Sequence, residues 1–122
     1  MTNSVSLVEK RLFSAVEAAE KIRLGEMTSF ELTQQCIDRI KEVDPEVNAV
    51  VIPLFEQALE AARRMDELAA EDKYLGPLHG VPISVKECFF VADTDSCLGV
   101  DGLTNRPSEE DGRMVQRLKE AG

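Results

Sequence analysis

Apolar residues recur at helical spacing in four stretches, and the residues flanking each stretch mark where a helix begins or stops. The first stretch is Phe13, Val16, Ala19 and Ile22. There Ser14 can cap the opening turn, Glu17 three residues on completes a capping box, and Gly25 supplies the stop. Thr28 and Glu31 repeat that box ahead of a second helix, which turns Leu32, Cys36, Ile37 and Ile40 inward and ends before Pro45, because the ring restricts Asp44. The third stripe, Phe55, Ala58, Leu59, Ala62, Met65 and Ala69, runs along an alanine-rich helix that begins near Pro53. The fourth helix is expected to start at Ser108 with Asp111 in the capping-box position, and to line Met114, Val115, Leu118 and Ala121 on one side. All four stripes read as surfaces facing a core and not a partner.

Two stretches carry a strand pattern. Residues 48–52 (Asn-Ala-Val-Val-Ile) read as a short strand. After turns punctuated by glycine and proline, residues 81–85 read as a buried one, with Val81, Ile83 and Val85 on one face and Pro82, Ser84 and Lys86 on the other. Residues 91–107 read as a long loop. Two strands do not make an independently stable sheet, and a strand apolar through Val81 to Val85 expects neighbours and cover on both faces. Gly122 follows directly on a helix, where an α/β chain ordinarily enters its next strand. The expected fold class is therefore α/β and incomplete: helices plus the first strands of a larger mixed sheet. Residues 1–12 would form an arm ahead of one unit over residues 13–122.

Composition narrows the partners. The 122 residues are 43% hydrophobic and 30% charged, with seven glycines and five prolines, which is a globular balance. A net charge of −9 argues against a nucleic-acid partner, since phosphate binding needs a basic patch. No run approaches the roughly 20 apolar residues of a membrane span. The three cysteines, Cys36, Cys88 and Cys97, read as reduced thiols in a cytoplasmic setting. One histidine and no paired cysteine spacing give no metal site, and no glycine-rich phosphate cradle points to a cofactor.

Lys86 stands out, because lysine is rarely buried unpaired at the end of an apolar strand. Desolvation disfavours an ammonium, which is how a lysine becomes a proton acceptor; the plainer reading is a lysine that pairs with a carboxylate or reaches solvent. The run Gly76-Pro77-Leu78-His79-Gly80-Val81-Pro82-Ile83-Ser84-Val85-Lys86-Glu87 resembles the lysine motif of the amidase signature family. The resemblance extends from Phe13 to Gly122, through Thr28-Ser29-Phe30-Glu31-Leu32, Asn48-Ala49 and the stretch from Asp111 to Gly122. Within the family, Lys86-Glu87-Cys88-Phe89 and Asp95-Ser96-Cys97-Leu98-Gly99 look most like the fatty acid amide hydrolase branch. Many other members, among them the amidotransferases that work on charged tRNA, have Asp-Asn after the lysine, so the residues after Lys86 speak against the alternative reading of this chain as a glutamyl-tRNA amidotransferase-like subunit.

The resemblance implies a Ser-Ser-Lys triad on a large α/β fold, acting on a small-molecule amide or ester. Lys86 would take a proton, through a bridging serine, from the nucleophilic serine. Both serines belong to a Gly/Ser-rich stretch that the family places well after the lysine, and none of the seven serines here has that context. The expectation is a chain without amidase turnover by itself. A second reading, from a different class, is a short non-catalytic module that binds a partner or regulates a homologue through an open sheet edge. His79 reads as structural or solvent-facing. A Cys88–His79 nucleophile pair is disfavoured by nine residues of extended separation. Glu109, Glu110 and Asp111 read as first-turn acids favouring the helix dipole.

Overall fold

The computed structural model describes residues 13–122, so the arm expected over residues 1–12 lies outside the described residues. Two of the three predicted capping boxes form. Ser14 Oγ accepts the Glu17 N–H at 3.2 Å and the Glu17 carboxylate accepts the Ser14 N–H at 2.9 Å, opening α1 (Ala15–Arg23). Thr28 and Glu31 do the same at 3.0 and 2.9 Å for α2 (Ser29–Val47). Each box satisfies two N–H groups at the start of its helix. Gly25, at φ 71°, turns the chain out of α1 where a side chain would be strained.

α2 does not stop before Pro45; it runs on to Val47. The ring removes one N–H donor, but only in the last turn, where the loss is small. Asn48 then ends the helix in the left-handed region at φ 52°, with its N–H on the Asp44 carbonyl at 2.7 Å. Asp44 Oδ1 accepts the N–H groups of Ala49 (2.7 Å) and Val50 (3.0 Å). Residues 48–52 are thus drawn back onto the end of α2 and join no ladder, contrary to the strand expected there.

α3 (Phe55–Ala70) returns antiparallel to α2. Lys41 lies over the Phe55 ring at 5.8 Å at one end, and Arg63 over Phe30 at 4.7 Å near the other. The predicted α3 stripe faces inward: none of its six residues is exposed, and Ala62 is buried. Ala18, Ile22 and Leu32 form the core cluster, with Phe13, Met27, Cys36 and Val81 packed on it. Val16, expected inward, is 73% exposed. It sits about 200° round the helix from Ala18, and the cover lies on the Ala18–Ile22 side. No helix among the described residues is long and apolar enough to cross a membrane.

Beyond α3 the expected sheet is absent among the described residues. Residues 81–86 join no ladder, because a strand needs a second segment to supply the other half of its hydrogen bonds. A lone bridge, Ala92 to Ser108, closes the 91–107 loop, which holds a short 3₁₀ turn (Asp101–Leu103). Ser108 is committed to that closure: it receives the Asp93 N–H and donates its own to Thr94, both at 2.9 Å. It does not cap the last helix, because that helix starts further on, as α4 (Arg113–Glu120) with Gly112 at its N-cap. Glu109 and Glu110 precede that helix and do not form its first turn. Asp111 accepts the Ala92 N–H at 2.8 Å and pairs with Lys119, and these bonds hold its carboxyl below the ordinary value.

Part of the acidic balance has a structural use. Asp44 and Asp66 each accept two main-chain N–H groups, and Asp95 does the same for Asn105 (2.7 Å) and Arg106 (2.9 Å). Charge-assisted bonds of this kind order turns that would otherwise leave donors unmet.

Candidate active site

The segment carrying Lys86 is rooted firmly at its start. His79 is buried; its Nδ1 accepts the Leu75 N–H at 3.1 Å, and its Nε2 lies 2.8 Å from the Met65 carbonyl oxygen. These two partners place the ring proton on Nε2 and leave neither nitrogen free, with the Tyr74 ring edge-on at 5.1 Å. Of the two readings of His79, the structural one is what the molecule has, and a Cys88–His79 pair is ruled out by these bonds.

Gly80 follows at φ 78°, with its N–H on the Gly122 carbonyl (2.9 Å) and its carbonyl accepting the buried Ser29 hydroxyl at 2.6 Å. Leu78 N–H bonds the Ala121 carbonyl at 2.9 Å. The start of α2 is itself held by α3, since the Asp66 carboxylate accepts the N–H groups of Ser29 (2.7 Å) and Phe30 (2.9 Å). Three helices thus converge on residues 78–80.

Past Gly80 the restraint lapses. No hydrogen bond from another described residue reaches the main chain of Ile83, Ser84 or Val85. Lys86 is exposed, and no carboxylate among the described residues pairs with its ammonium. Ile83 is 52% exposed too. The desolvated lysine expected from a buried strand is therefore not found within these residues, for the same reason that the strand is not: nothing covers it.

The chain then turns, with the Phe89 N–H on the Lys86 carbonyl at 3.0 Å. Glu87 reaches across to the following loop. Its carboxylate accepts the Cys97 N–H and the Leu98 N–H (3.1 Å), and its main-chain carbonyl accepts the Ser96 hydroxyl at 2.9 Å. The Cys97 N–H above all holds the Glu87 carboxyl below its ordinary value, against some desolvation and the nearby Asp95 charge.

The cysteines are all free, with Cys88 exposed and Cys36 and Cys97 half-buried; burial pushes the Cys36 thiol up. No cluster of His, Cys, Asp or Glu among the described residues could hold a metal ion. A surface hollow of about 430 Å³ at the α2–α3 corner, lined by residues including Ile40, Asp44, Pro53 and Phe55, contains neither Lys86 nor His79. Sequence reasoning assigned no role to Ser29, Asp66 or Glu87. The first two had a signal: each is a polar residue on an otherwise apolar helical face, beside Leu32 and between Ala62 and Ala69. Glu87 had none, since its partners are defined only by the fold of the loop.

Residues 31–122 match the family model described as Amidase. Indoleacetamide hydrolase of Bradyrhizobium diazoefficiens is 37% identical over 110 residues, covering 90% of this chain and 21% of the relative. A glutamyl-tRNA(Gln) amidotransferase component of Cutibacterium acnes is 37% identical over 109 residues, covering 89% and 22%. Fatty-acid amide hydrolase 2-A of Danio rerio is 40% identical over 118 residues, covering 91% and 22%. Among solved structures, a fatty acid amide hydrolase superposes with a TM-score of 0.85 at 28% identity, over 90% of this chain and 20% of that one. The chain spans about a fifth of the length of these relatives.

Proposed function

The chain belongs to the amidase family, and from that membership we propose that it supplies Lys86 as the proton acceptor of a serine-type amide hydrolase. The observation that carries this reading is the state of Lys86 itself. It follows the Gly-Pro-Leu-His-Gly-Val-Pro run, its segment is rooted at His79 and Gly80, and no carboxylate among the described residues holds its ammonium. A carboxylate partner would favour the charged form; an unpaired amine is available to take a proton once cover excludes water.

In this reading residues 81–86 become a strand of the larger sheet when the rest of an amidase domain lies beside them, and the two triad serines come from that remainder. Lys86 Nζ accepts a proton, by way of the bridging serine, as the nucleophilic Oγ adds to the carbonyl carbon of the substrate. When the C–N bond breaks, the proton returns along the same path to the leaving amine, and water then hydrolyses the acyl-enzyme. The substrate class is an amide. The relatives' names span indoleacetamide, fatty-acid amide and glutamyl-tRNA chemistry, and the bond they share is the one Lys86 would serve. A fatty-acyl amide is the finer reading, supported by the Lys86-Glu87-Cys88-Phe89 run and the 40% identity to fatty-acid amide hydrolase 2-A. The three free cysteines support a reducing compartment.

The test replaces the matching segment of Danio rerio fatty-acid amide hydrolase 2-A with residues 13–122 and measures hydrolysis of a fatty-acyl amide. Hydrolysis by the folded chimera that disappears on Lys86→Ala, with none from the 122-residue chain alone, is the expected result. Turnover that survives Lys86→Ala would remove the lysine from the reaction.

A further inference from the structure

Residues 81–86 have no ladder partner, so whatever fixes Lys86 in the chain must act at the two ends of the segment. The first end is the anchor at residues 78–80 built by Ser29, Met65 and Gly122. The second lies one residue past the lysine. We infer that Glu87 is the positioning residue for Lys86, clamping the end of its segment to the 96–98 loop through its carboxylate and its carbonyl together.

The geometry carries this in three steps. A turn closed by the Phe89 N–H on the Lys86 carbonyl follows the lysine, and from it the Glu87 side chain reaches the loop. There the carboxylate receives two successive N–H groups, those of Cys97 and Leu98. The Ser96 hydroxyl on the Glu87 carbonyl fixes the main chain as well as the side chain. Glu87 is thus tied from both ends of its own residue, and Lys86 is joined to it by a single rigid peptide. The lowered Glu87 carboxyl agrees with an ionised clamp, and Asp95 is the charged neighbour that opposes it.

The role as a positioning residue rests on the reading of Lys86 as the reactive amine, but the clamp can be measured without turnover. ¹⁵N-labelled chain is titrated from pH 7 to 2 by NMR, as wild type, Glu87→Gln and Glu87→Asp. The Cys97 and Leu98 amides are expected to share one titration step, with its midpoint below the ordinary carboxylate range. Glu87→Gln should abolish that step, and Glu87→Asp, whose shorter reach keeps the charge, should retain it in weakened form. In parallel, the heteronuclear NOE of the Lys86 amide should fall in Glu87→Gln and recover part-way in Glu87→Asp, while that of Gly80 stays put. A shared step that persists in Glu87→Gln, or a Lys86 NOE that does not change, overturns the inference; if Glu87→Gln does not fold, the Glu87→Asp pair of readouts decides it. Loss of the Lys86 reading in the hydrolysis experiment leaves these amide signals untouched, so the two failures are told apart.

Discussion

Ser29 Oγ donates to the Gly80 carbonyl oxygen at 2.6 Å, across 51 positions of sequence and in a buried setting. This bond ties the first residue of α2 to the root of the lysine segment, and Ser29 is fully buried in making it. Ser29→Ala keeps the Cβ and removes only the donor, leaving the Gly80 carbonyl buried without its partner. The expected cost is about 1–3 kcal/mol, read as a lower urea midpoint with an unchanged slope. A change within about 0.5 kcal/mol, the range of an ordinary surface substitution, would mean that the bond contributes little.

Asp66 makes the companion connection from α3, accepting the N–H groups of Ser29 and Phe30 with its two oxygens. In Asp66→Asn one of those oxygens becomes an NH₂ group, a donor facing a donor. The loss expected is about 0.5–2 kcal/mol, the scale of a helix cap supplied here from another helix. Ser29→Ala and Asp66→Asn share the same turn of α2, so the double variant should depart from the sum of the singles, and a denaturation cycle measures by how much.

What could be read from sequence follows from how local each interaction is. The boxes of Ser14 with Glu17 and of Thr28 with Glu31 are complete within four residues, so their pattern was sufficient. The α3 stripe was legible because sixteen residues repeat one face. Ser108 and Asp111 show the same capping pattern but were claimed by Ala92, a contact that no local rule contains. The strands at 48–52 and 81–85 have the right residues and no neighbour. Lys86 stands out in the sequence by its motif, but its exposure could not be read there, because burial belongs to what packs around a residue and not to the residue.

Acid pH should loosen the loop region first. Glu87 and Asp111 both have carboxyls held below their ordinary values by main-chain N–H donors, from Cys97 and Ala92 respectively. A group with a lowered folded pKa contributes stability that is complete above its unfolded value and is lost as pH falls through the folded one. Thermal melts between pH 6 and pH 2 should therefore show Glu87→Gln and Asp111→Asn less stable than wild type at the top of that window. The gap should close at the bottom, where the wild-type carboxylates are protonated as well. A gap that is constant across the window would mean that the lost contacts are not ionic.

The thiols should separate by reactivity. Burial raises the Cys36 thiol on the inner side of α2, while Cys88 is exposed beside the turn at Lys86. Thiolate is the reacting form, so both access and ionisation disfavour Cys36. Iodoacetamide at pH 8 under native conditions, followed by peptide mass mapping, should label Cys88 first and Cys36 last. Equal labelling of the two would show that α1 and α2 separate readily.

Gly80 is where backbone and packing demands coincide. Its φ of 78° lies in the left-handed region, and a Cβ added there would stand 2.9 Å from Ser29 Cβ, 3.0 Å from Ser29 Oγ and 3.3 Å from Ile22 Cδ1. Gly80→Ala meets both penalties: about 1–2 kcal/mol for the conformation and about 1–3 kcal/mol for crowding a closed contact. The two parts can be separated, because only the second involves Ser29. In a Ser29→Gly background the crowding should be relieved while the conformational cost persists, so Gly80→Ala should be less damaging there than in wild type. Urea denaturation of the four proteins in that cycle measures the coupling. A Gly80→Ala cost that is the same in both backgrounds would place the penalty in the backbone and the Ile22 contact, and would show that the start of α2 yields to an added methyl group.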